Sequence, residues 1–338
     1  MTTVVSPALE SSMDGFRTAM QAAVGRMDPH MAAVSAYHLG WATADGTPEL
    51  TGSGKGVRPA LALLSAQAAG APAELGIDAA VAVELVHNFS LLHDDVMDGD
   101  TQRRHRPTVW SLWGVPTAIL AGDAMLTIAQ EVLLDSDSPH RLPALRMLLA
   151  ATRELIRGQV EDLEFETAQE VTVQQCRQMV AGKTGALLAA SASLGCVLAG
   201  GDQRVVDALS DYGYRLGTAF QLVDDLLGIW GDPVVTGKPV LSDLRSRKRS
   251  LPISYAACQP GPAGQAVSRW LHAGQPSTEQ ELARIAEQVA ATGAQTWATD
   301  EAARQVEQAE AALATAPIDR QVKRELSMLA QFVIRRDF

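Results

Sequence analysis

Two aspartate clusters, His93 to Asp98 and Gln221 to Asp225, each interrupt an apolar, helix-favouring stretch, and their leading residues Asp94 and Asp224 stand 130 positions apart. Leu91, Leu92, Val96 and Met97 flank the first cluster, and Leu226 and Leu227 flank the second. A helix rotates about 100° per residue, so Asp94 and Asp98 fall one turn apart on one face, where oxygen ligands converge on a hard divalent cation. Desolvating several carboxylates on an apolar helix costs on the order of several kcal/mol unless a cation offsets it. A chain patterned this way is expected to pack acid-bearing apolar helices around metal. A solvated acidic face is the poorer reading.

Arg103 and Arg104 follow the first cluster closely. Guanidinium forks match phosphate oxygens in geometry as well as charge, so carboxylates for a cation beside paired arginines point to a diphosphate ligand. The sequence has no Gly-x-x-x-x-Gly-Lys-Ser/Thr loop and no strand-turn-helix frame to carry one, which argues against a nucleotide.

The formal net charge of −11 argues against nucleic acid, whose backbone is bound through dense basic surfaces. The basic run Arg245 to Arg249 is local, and its position reads as a loop closing over a diphosphate. Cys176, Cys196 and Cys258 are odd in number and lack metal-ligand spacing, so they read as reduced thiols of a cytoplasmic protein. Residues 1–17 lack the basic start and apolar core of a secretory signal. The longest uncharged run, Thr184 to Gly201, carries two serines and four glycines, and is expected to be a buried helix and not a membrane span.

At 47% apolar and 5% aromatic residues, much of it Ala, Leu and Val, the composition suits closely packed helices. Breakers at Gly40–Gly54, Asp135–Pro139, Gly200–Asp202, Gly231–Pro233 and Gln259–Pro262 divide those helices. Ser277 to Gln280 offers a capping box ahead of Leu282, Ile285 and Val289 at helical spacing. Because the motifs run from Lys55 to Lys248, we expect a single domain: an N-terminal arm and loop over 1–53, a motif-bearing core over 54–252, and C-terminal helices over 253–338.

The ordered motifs resemble those of the trans-isoprenyl diphosphate synthases, the polyprenyl synthetase family. Gly54-Lys55-Gly56-Val57-Arg58-Pro59 is similar to the family's Gly-Lys-x-x-Arg-Pro element, and His87 through Asp94-Asp95-x-x-Asp98 to Arg103-Arg104 to its first aspartate-rich motif. Gly158 to Leu163, Lys183-Thr184, Gln221 to Asp225, Gly237-Lys238-Pro239 and Lys248 to Pro252 follow in the family's order. Two departures stand out. Gly228 replaces the third aspartate of the second cluster, and Ser53 and Gly56 replace a common glycine and arginine.

The resemblance implies an all-α, isoprenoid-synthase-type helical bundle around a deep central cavity, acting as a homodimer. It implies head-to-tail condensation of isopentenyl diphosphate with an allylic diphosphate, and magnesium, three ions to a site. By the same resemblance Asp94, Asp95, Asp98, Asp224 and Asp225 hold metal, while Arg103, Lys183, Gln221 and Lys238 complete the allylic site under a loop bearing Lys248. Lys55, Arg58, His87 and Arg104 form a metal-free site for isopentenyl diphosphate. The Lys183 carbonyl, Thr184 hydroxyl and Gln221 amide oxygen would face the allylic cation. Gln159 and Asp162 either orient the metal region or satisfy each other. Phe89 with the small Ser90 resembles the pattern of geranylgeranyl (C20) producers, with farnesyl (C15) second. A terpene cyclase has no use for Lys55, Arg58 and Arg104, and a non-catalytic subunit has none for an intact Asp94-Asp95-Asp98.

Overall fold

The structure is a computed structural model that describes residues 7–49, 56–231, 240–273 and 277–334. Among these residues the chain is almost wholly helical, as the composition predicts; its one sheet is a two-residue pairing of Gln102–Arg103 with Arg106–Pro107. Chain contacts divide it into two compact units, residues 1–152 with 189–210 and 315–326, and residues 153–188 with 211–314 and 327–338.

In the first unit, the Ile77–Met97 helix packs against the helices Val115–Leu134, Val57–Ala68 and Pro7–Val24. Its small and β-branched residues Ala79, Ala80, Val81, Ala82 and Val83 are fully buried, as are Leu61 to Leu64 on Val57–Ala68. Val57 opens that helix with Pro59 in its first turn, where a missing N–H costs nothing.

In the second unit, Phe165, Met179, Leu222, Val223 and Leu226 form one core, beneath the second aspartate cluster. A separate core joins Ile253, Val267 and Trp270 to Leu282, Ile285 and Val289 of the Glu279–Ala291 helix. That helix is capped by Thr278, whose side chain accepts the Glu281 N–H. The complete capping box lies elsewhere, at Thr172 and Gln175, where each side chain takes the other's backbone N–H.

The run from Thr184 lies largely within the Ala186–Leu198 helix, and Leu187, Leu188, Leu194 and Cys196 are buried. Three stretches, Ala73–Met97, Val115–Leu134 and Val173–Leu198, are long and apolar enough to cross a membrane by length and composition; the first and last are mostly buried in the fold. All three cysteines are free; burial pushes the thiols of Cys176 and Cys196 up to about 12 and about 11, where they stay protonated.

Candidate active site

The first unit carries the first cluster on the last turn of the Ile77–Met97 helix, with Asp98 as its C-cap, donating its N–H to the Asp94 carbonyl at 2.8 Å. Helical rotation gives the adjacent aspartates opposite surroundings. Asp94 is half-buried and Asp98 exposed, whereas Asp95 is 1% exposed and its Oδ1 accepts Arg103 Nε at 2.7 Å. Burial outweighs the pull of that guanidinium and raises the Asp95 carboxyl to about 6.

Arg103 and Arg106 are partners across the small hairpin, and its two turn residues, Arg104 and His105, both hold left-handed φ angles of 52° and 61°. Asn and Gly normally occupy such two-residue turns, so bulky side chains here store roughly 1–3 kcal/mol of backbone strain each. The hairpin's base withstands it. Thr108 Oγ1 and Trp110 Nε1 donate to the Asp100 carbonyl at 2.8 and 2.7 Å, and the Tyr37 hydroxyl donates to the Pro107 carbonyl at 2.8 Å. Arg106 stacks 4.2 Å over the Tyr37 ring and donates to the Ala42 carbonyl, so it is a strut of the hairpin.

Arg58, His87 and Arg104 come together, as the resemblance implies. Burial, then the charges of Arg58, Arg104 and Arg103, hold the His87 imidazole well below its ordinary range, so it is neutral. Sequence reading missed two members of this group. Glu84, whose Oε1 accepts from Asn88 Nδ2 at 3.1 Å, faces Arg58 and Arg104, and burial raises its carboxyl. His38 is driven down to about 3 by burial, then by Arg103 and Arg104. A cavity of about 300 Å³ opens here, lined by Tyr37, His38, Asp95, Arg103, Arg104 and Arg106 among others. Only Glu84 at helical spacing before His87 and Asp94 could have been suspected from sequence. Phe89 and Ser90 are buried below the cluster; Phe89 meets His93 edge to face at 4.9 Å, and Ser90 donates to the His87 carbonyl at 2.8 Å.

The second unit builds its half around a helix irregularity. Residues Ala181–Gly185 form a π-helical turn between the Val173–Val180 and Ala186–Leu198 helices. The turn presses onto the Arg141–Thr167 helix at Gly158, where a Cβ would stand 2.2 Å from the Lys183 nitrogen. This close approach lets Lys183 Nζ reach Asp162 Oδ2 at 2.6 Å. Gln159 and Asp162 lie three residues apart on this one helix, and Asp162 is engaged by Lys183.

From the same turn Thr184 Oγ1 donates to Gln221 Oε1 at 2.9 Å, Gln221 Nε2 donates to Asp225 Oδ1 at 2.8 Å, and the Leu251 N–H donates to Asp225 Oδ2 at 3.0 Å. Asp225 is 2% exposed and burial pushes its carboxyl up, against the pull of Lys248. Asp224, one residue earlier on the Gln203–Trp230 helix, is exposed. Both clusters thus repeat one plan: an outward first aspartate beside an inward second one that anchors other residues.

The basic run is not the free loop that its composition suggests. Arg245 pairs with Glu279, Arg247 stacks 5.4 Å over Trp270, and Arg249 donates to the Phe165 and Ala168 carbonyls at the end of the Arg141–Thr167 helix. Lys248 faces the aspartates of this unit. Burial opposes its charge, but Asp243, then Asp225, Asp162 and Asp224, outweigh it and push the ammonium up. Asp243 was not foreseen; nothing in its local sequence sets it apart. Lys55 and Lys238 lie outside the described residues.

Carboxylate oxygens are the donors that magnesium prefers, and Asp94, Asp98 and Asp224 present them outward. Among the described residues no three His, Cys, Asp or Glu side chains form a ready-made cage. Magnesium keeps several waters and takes one or two carboxylates together with substrate phosphate oxygens. The donor set therefore fits magnesium.

A family model of polyprenyl synthetases matches residues 47–289. The chain is 49% identical to a (2E,6E)-farnesyl diphosphate synthase of Mycobacterium bovis over 99% of its own length and 94% of that protein. A geranylgeranyl diphosphate synthase of Mycobacterium tuberculosis is 48% identical over 69% of this chain and 67% of that protein. The crystal structure of a polyprenyl synthetase from Streptomyces coelicolor superposes with a TM-score of 0.91 at 47% identity, covering 96% of this chain and 98% of that one. The chain belongs to the polyprenyl synthetase family, the trans-isoprenyl diphosphate synthases, and is a prenyltransferase.

Proposed function

We propose that this protein is a magnesium-dependent short-chain prenyl diphosphate synthase that joins isopentenyl diphosphate head to tail with an allylic diphosphate, yielding geranylgeranyl diphosphate. The observation that supports the reading is that the candidate residues fall into two groups of different chemistry. Outward carboxylates Asp94, Asp98 and Asp224 suit a metal-bound diphosphate, and the separate cluster of Arg58, His87 and Arg104 suits one bound by cations alone. A cyclase, which ionises a single allylic diphosphate, has no need of the second.

Magnesium, when bound, supplies the positive charge that stabilises a departing diphosphate, and an ion count of three follows family resemblance. Asp94, Asp98 and Asp224 would hold it. Arg103, oriented by Asp95, and Lys183, oriented by Asp162, bind the allylic diphosphate, with Lys238 and Lys248 completing that site. Lys55, Arg58, His87 and Arg104 bind isopentenyl diphosphate, the neutral His87 acting as a hydrogen-bonding group. The Thr184 hydroxyl, the Gln221 amide and the Lys183 carbonyl are fixed dipoles for the developing allylic cation. Released diphosphate can take the proton, so no side-chain base is required.

Product length rests on Phe89 and Ser90, an aromatic followed by a small residue, which by resemblance is the pattern of C20 producers. The second reading is farnesyl diphosphate, favoured by the full-length mycobacterial relative. A homodimer is favoured by a row of exposed apolar residues, Leu142, Leu149, Ile156 and Val160, spaced seven, seven and four along the Arg141–Thr167 helix, a pattern suited to a second copy. The test supplies purified protein with magnesium, isopentenyl diphosphate and dimethylallyl, geranyl or farnesyl diphosphate in turn, then separates the dephosphorylated alcohols. C20 alcohol from all three primers is expected; accumulation of C15 supports the second reading, and diphosphate release without condensation supports a cyclase.

A further inference from the structure

His93 opens the first aspartate cluster, but its ring belongs to a different contact. The imidazole lies on the neighbouring Val115–Leu134 helix, where Nε2 stands 3.1 Å from the Ile119 carbonyl oxygen. A carbonyl only accepts, so Nε2 carries the proton of that hydrogen bond. The Asp123 carboxylate is 3.8 Å from the same nitrogen, beyond hydrogen-bond range, so the backbone holds the ring.

The helix provides a notch for it. A Cβ built on Gly122 would meet His93 at 2.3 Å from Nε2, 2.5 Å from Cδ2 and 3.3 Å from Cε1. Any other residue at 122 would claim the volume that the imidazole fills. Glycine in a helix interior is less favourable than alanine, yet Gly122 lies well inside Val115–Leu134, with Ala118, Ala121 and Met125 fully buried near it. The close approach of the ring is the physical reason for glycine there.

The same ring meets Phe89 edge to face, with centroids 4.9 Å apart and planes at 73°. Phe89 and His93 stand four residues apart on Ile77–Met97, so they are neighbours on one helical face. An imidazole held at Nε2 and fitted into the Gly122 notch is a fixed edge, and the buried phenyl ring is set against it.

We propose that His93 is a positioning residue for product length: held in the Gly122 notch by the Ile119 carbonyl, it sets the orientation of the Phe89 ring and so the depth at which the growing chain stops. This deepens the condensation activity and the Phe89 floor proposed above, and rests on them.

The test reads the ratio of the alcohol one isoprene unit longer to the principal wild-type alcohol, at matched consumption of isopentenyl diphosphate. That ratio does not depend on how much of the protein is folded, so a loss of stability alone lowers the yield and leaves the ratio. The variants are His93→Ala; His93→Gln, whose amide N–H is long enough to reach the Ile119 carbonyl but which lacks the ring; Gly122→Ala; Phe89→Ala; and His93→Ala combined with each of the last two.

His93→Ala and His93→Gln are each expected to raise the ratio about threefold or more, the scale of an aromatic edge-to-face pair, and Gly122→Ala to change it as much by expelling the ring. In the His93→Ala background Gly122→Ala should shift the ratio by less than about twofold, and in the Phe89→Ala background so should His93→Ala, because each pair acts through one contact. A wild-type ratio in either single His93 variant, or undiminished effects in both double variants, would overturn the proposal. An unchanged ratio in Phe89→Ala would overturn the Phe89 floor and the proposal with it. Absence of condensed product from the wild-type protein would overturn the activity reading itself, and is seen before any variant is compared.

Discussion

Asp95 and Arg103 meet through Oδ1 and Nε at 2.7 Å, linking the last turn of the Ile77–Met97 helix to the hairpin that follows it. The pair fixes the direction of Arg103 and stands at the root of the strained Arg104–His105 turn. A carboxylate that sequence alone would assign to metal is thus already engaged by a cation, and the neighbouring Asp94 faces outward in its place.

The contrast between neighbours is measurable. Asp94→Ala and Asp224→Ala are each expected to lower kcat by roughly 10³-fold or more, because these carboxylates would hold the metal whose charge stabilises the leaving diphosphate. Asp95→Asn is expected to act chiefly on the allylic KM and to lower the melting temperature, since it frees Arg103. Steady-state kinetics with magnesium varied, beside thermal denaturation, separate the two patterns; equal loss of kcat in all three variants would refute the division of roles.

Gly158 is a second handle. Its Cα faces the π-helical turn so closely that Gly158→Ala must push Lys183 away, at a cost of about 1–3 kcal/mol. Denaturant unfolding should show that loss, and the allylic KM should rise more than the KM for isopentenyl diphosphate. Unchanged stability would mean that the contact is looser than 2.2 Å implies.

The helical class and the outward aspartates were legible because both follow from periodicity: apolar runs of helical length, with Asp94 and Asp98 one turn apart. The grouping of Arg58, His87 and Arg104 was reachable only through resemblance. What stayed hidden depends on contacts between segments distant in sequence. Glu84 and His38 become part of the cationic group only when the helices pack, and Asp243 reaches Gly228 across a fold-back of the chain. The partners of the run Arg245 to Arg249 stayed hidden for the same reason: its charges find Glu279, Trp270 and the end of a helix 80 residues upstream and more.

His38 provides a pH signature. Its folded-state value, about 3, lies below the ordinary 6.5, because of burial first and then Arg103, Arg104 and Arg106; Asn88 hydrogen-bonds it and pulls the other way. A depressed value means that the unfolded chain binds the proton more readily. Stability from this group is fully present above about 6.5 and is lost as pH falls from there toward about 3. Wild-type melting temperature should therefore fall over this window more steeply than that of His38→Gln, as followed by circular dichroism. Parallel curves would contradict the buried neutral imidazole.

Phe89 and Ser90 set the expected product length. Phe89→Ala should lengthen the product and Ser90→Phe should shorten it, by chromatography of the dephosphorylated alcohols. An unchanged distribution in both variants would place the floor of the chain-length cavity on other residues.

The central claim, metal-dependent joining of two diphosphates, is tested most directly by supplying uniformly ¹³C-labelled isopentenyl diphosphate with unlabelled dimethylallyl diphosphate and following product mass. With magnesium, the account predicts products that gain one labelled isoprene unit per cycle, and no gain when the ion is chelated. Consumption of the allylic diphosphate with no labelled carbon in any product would contradict it.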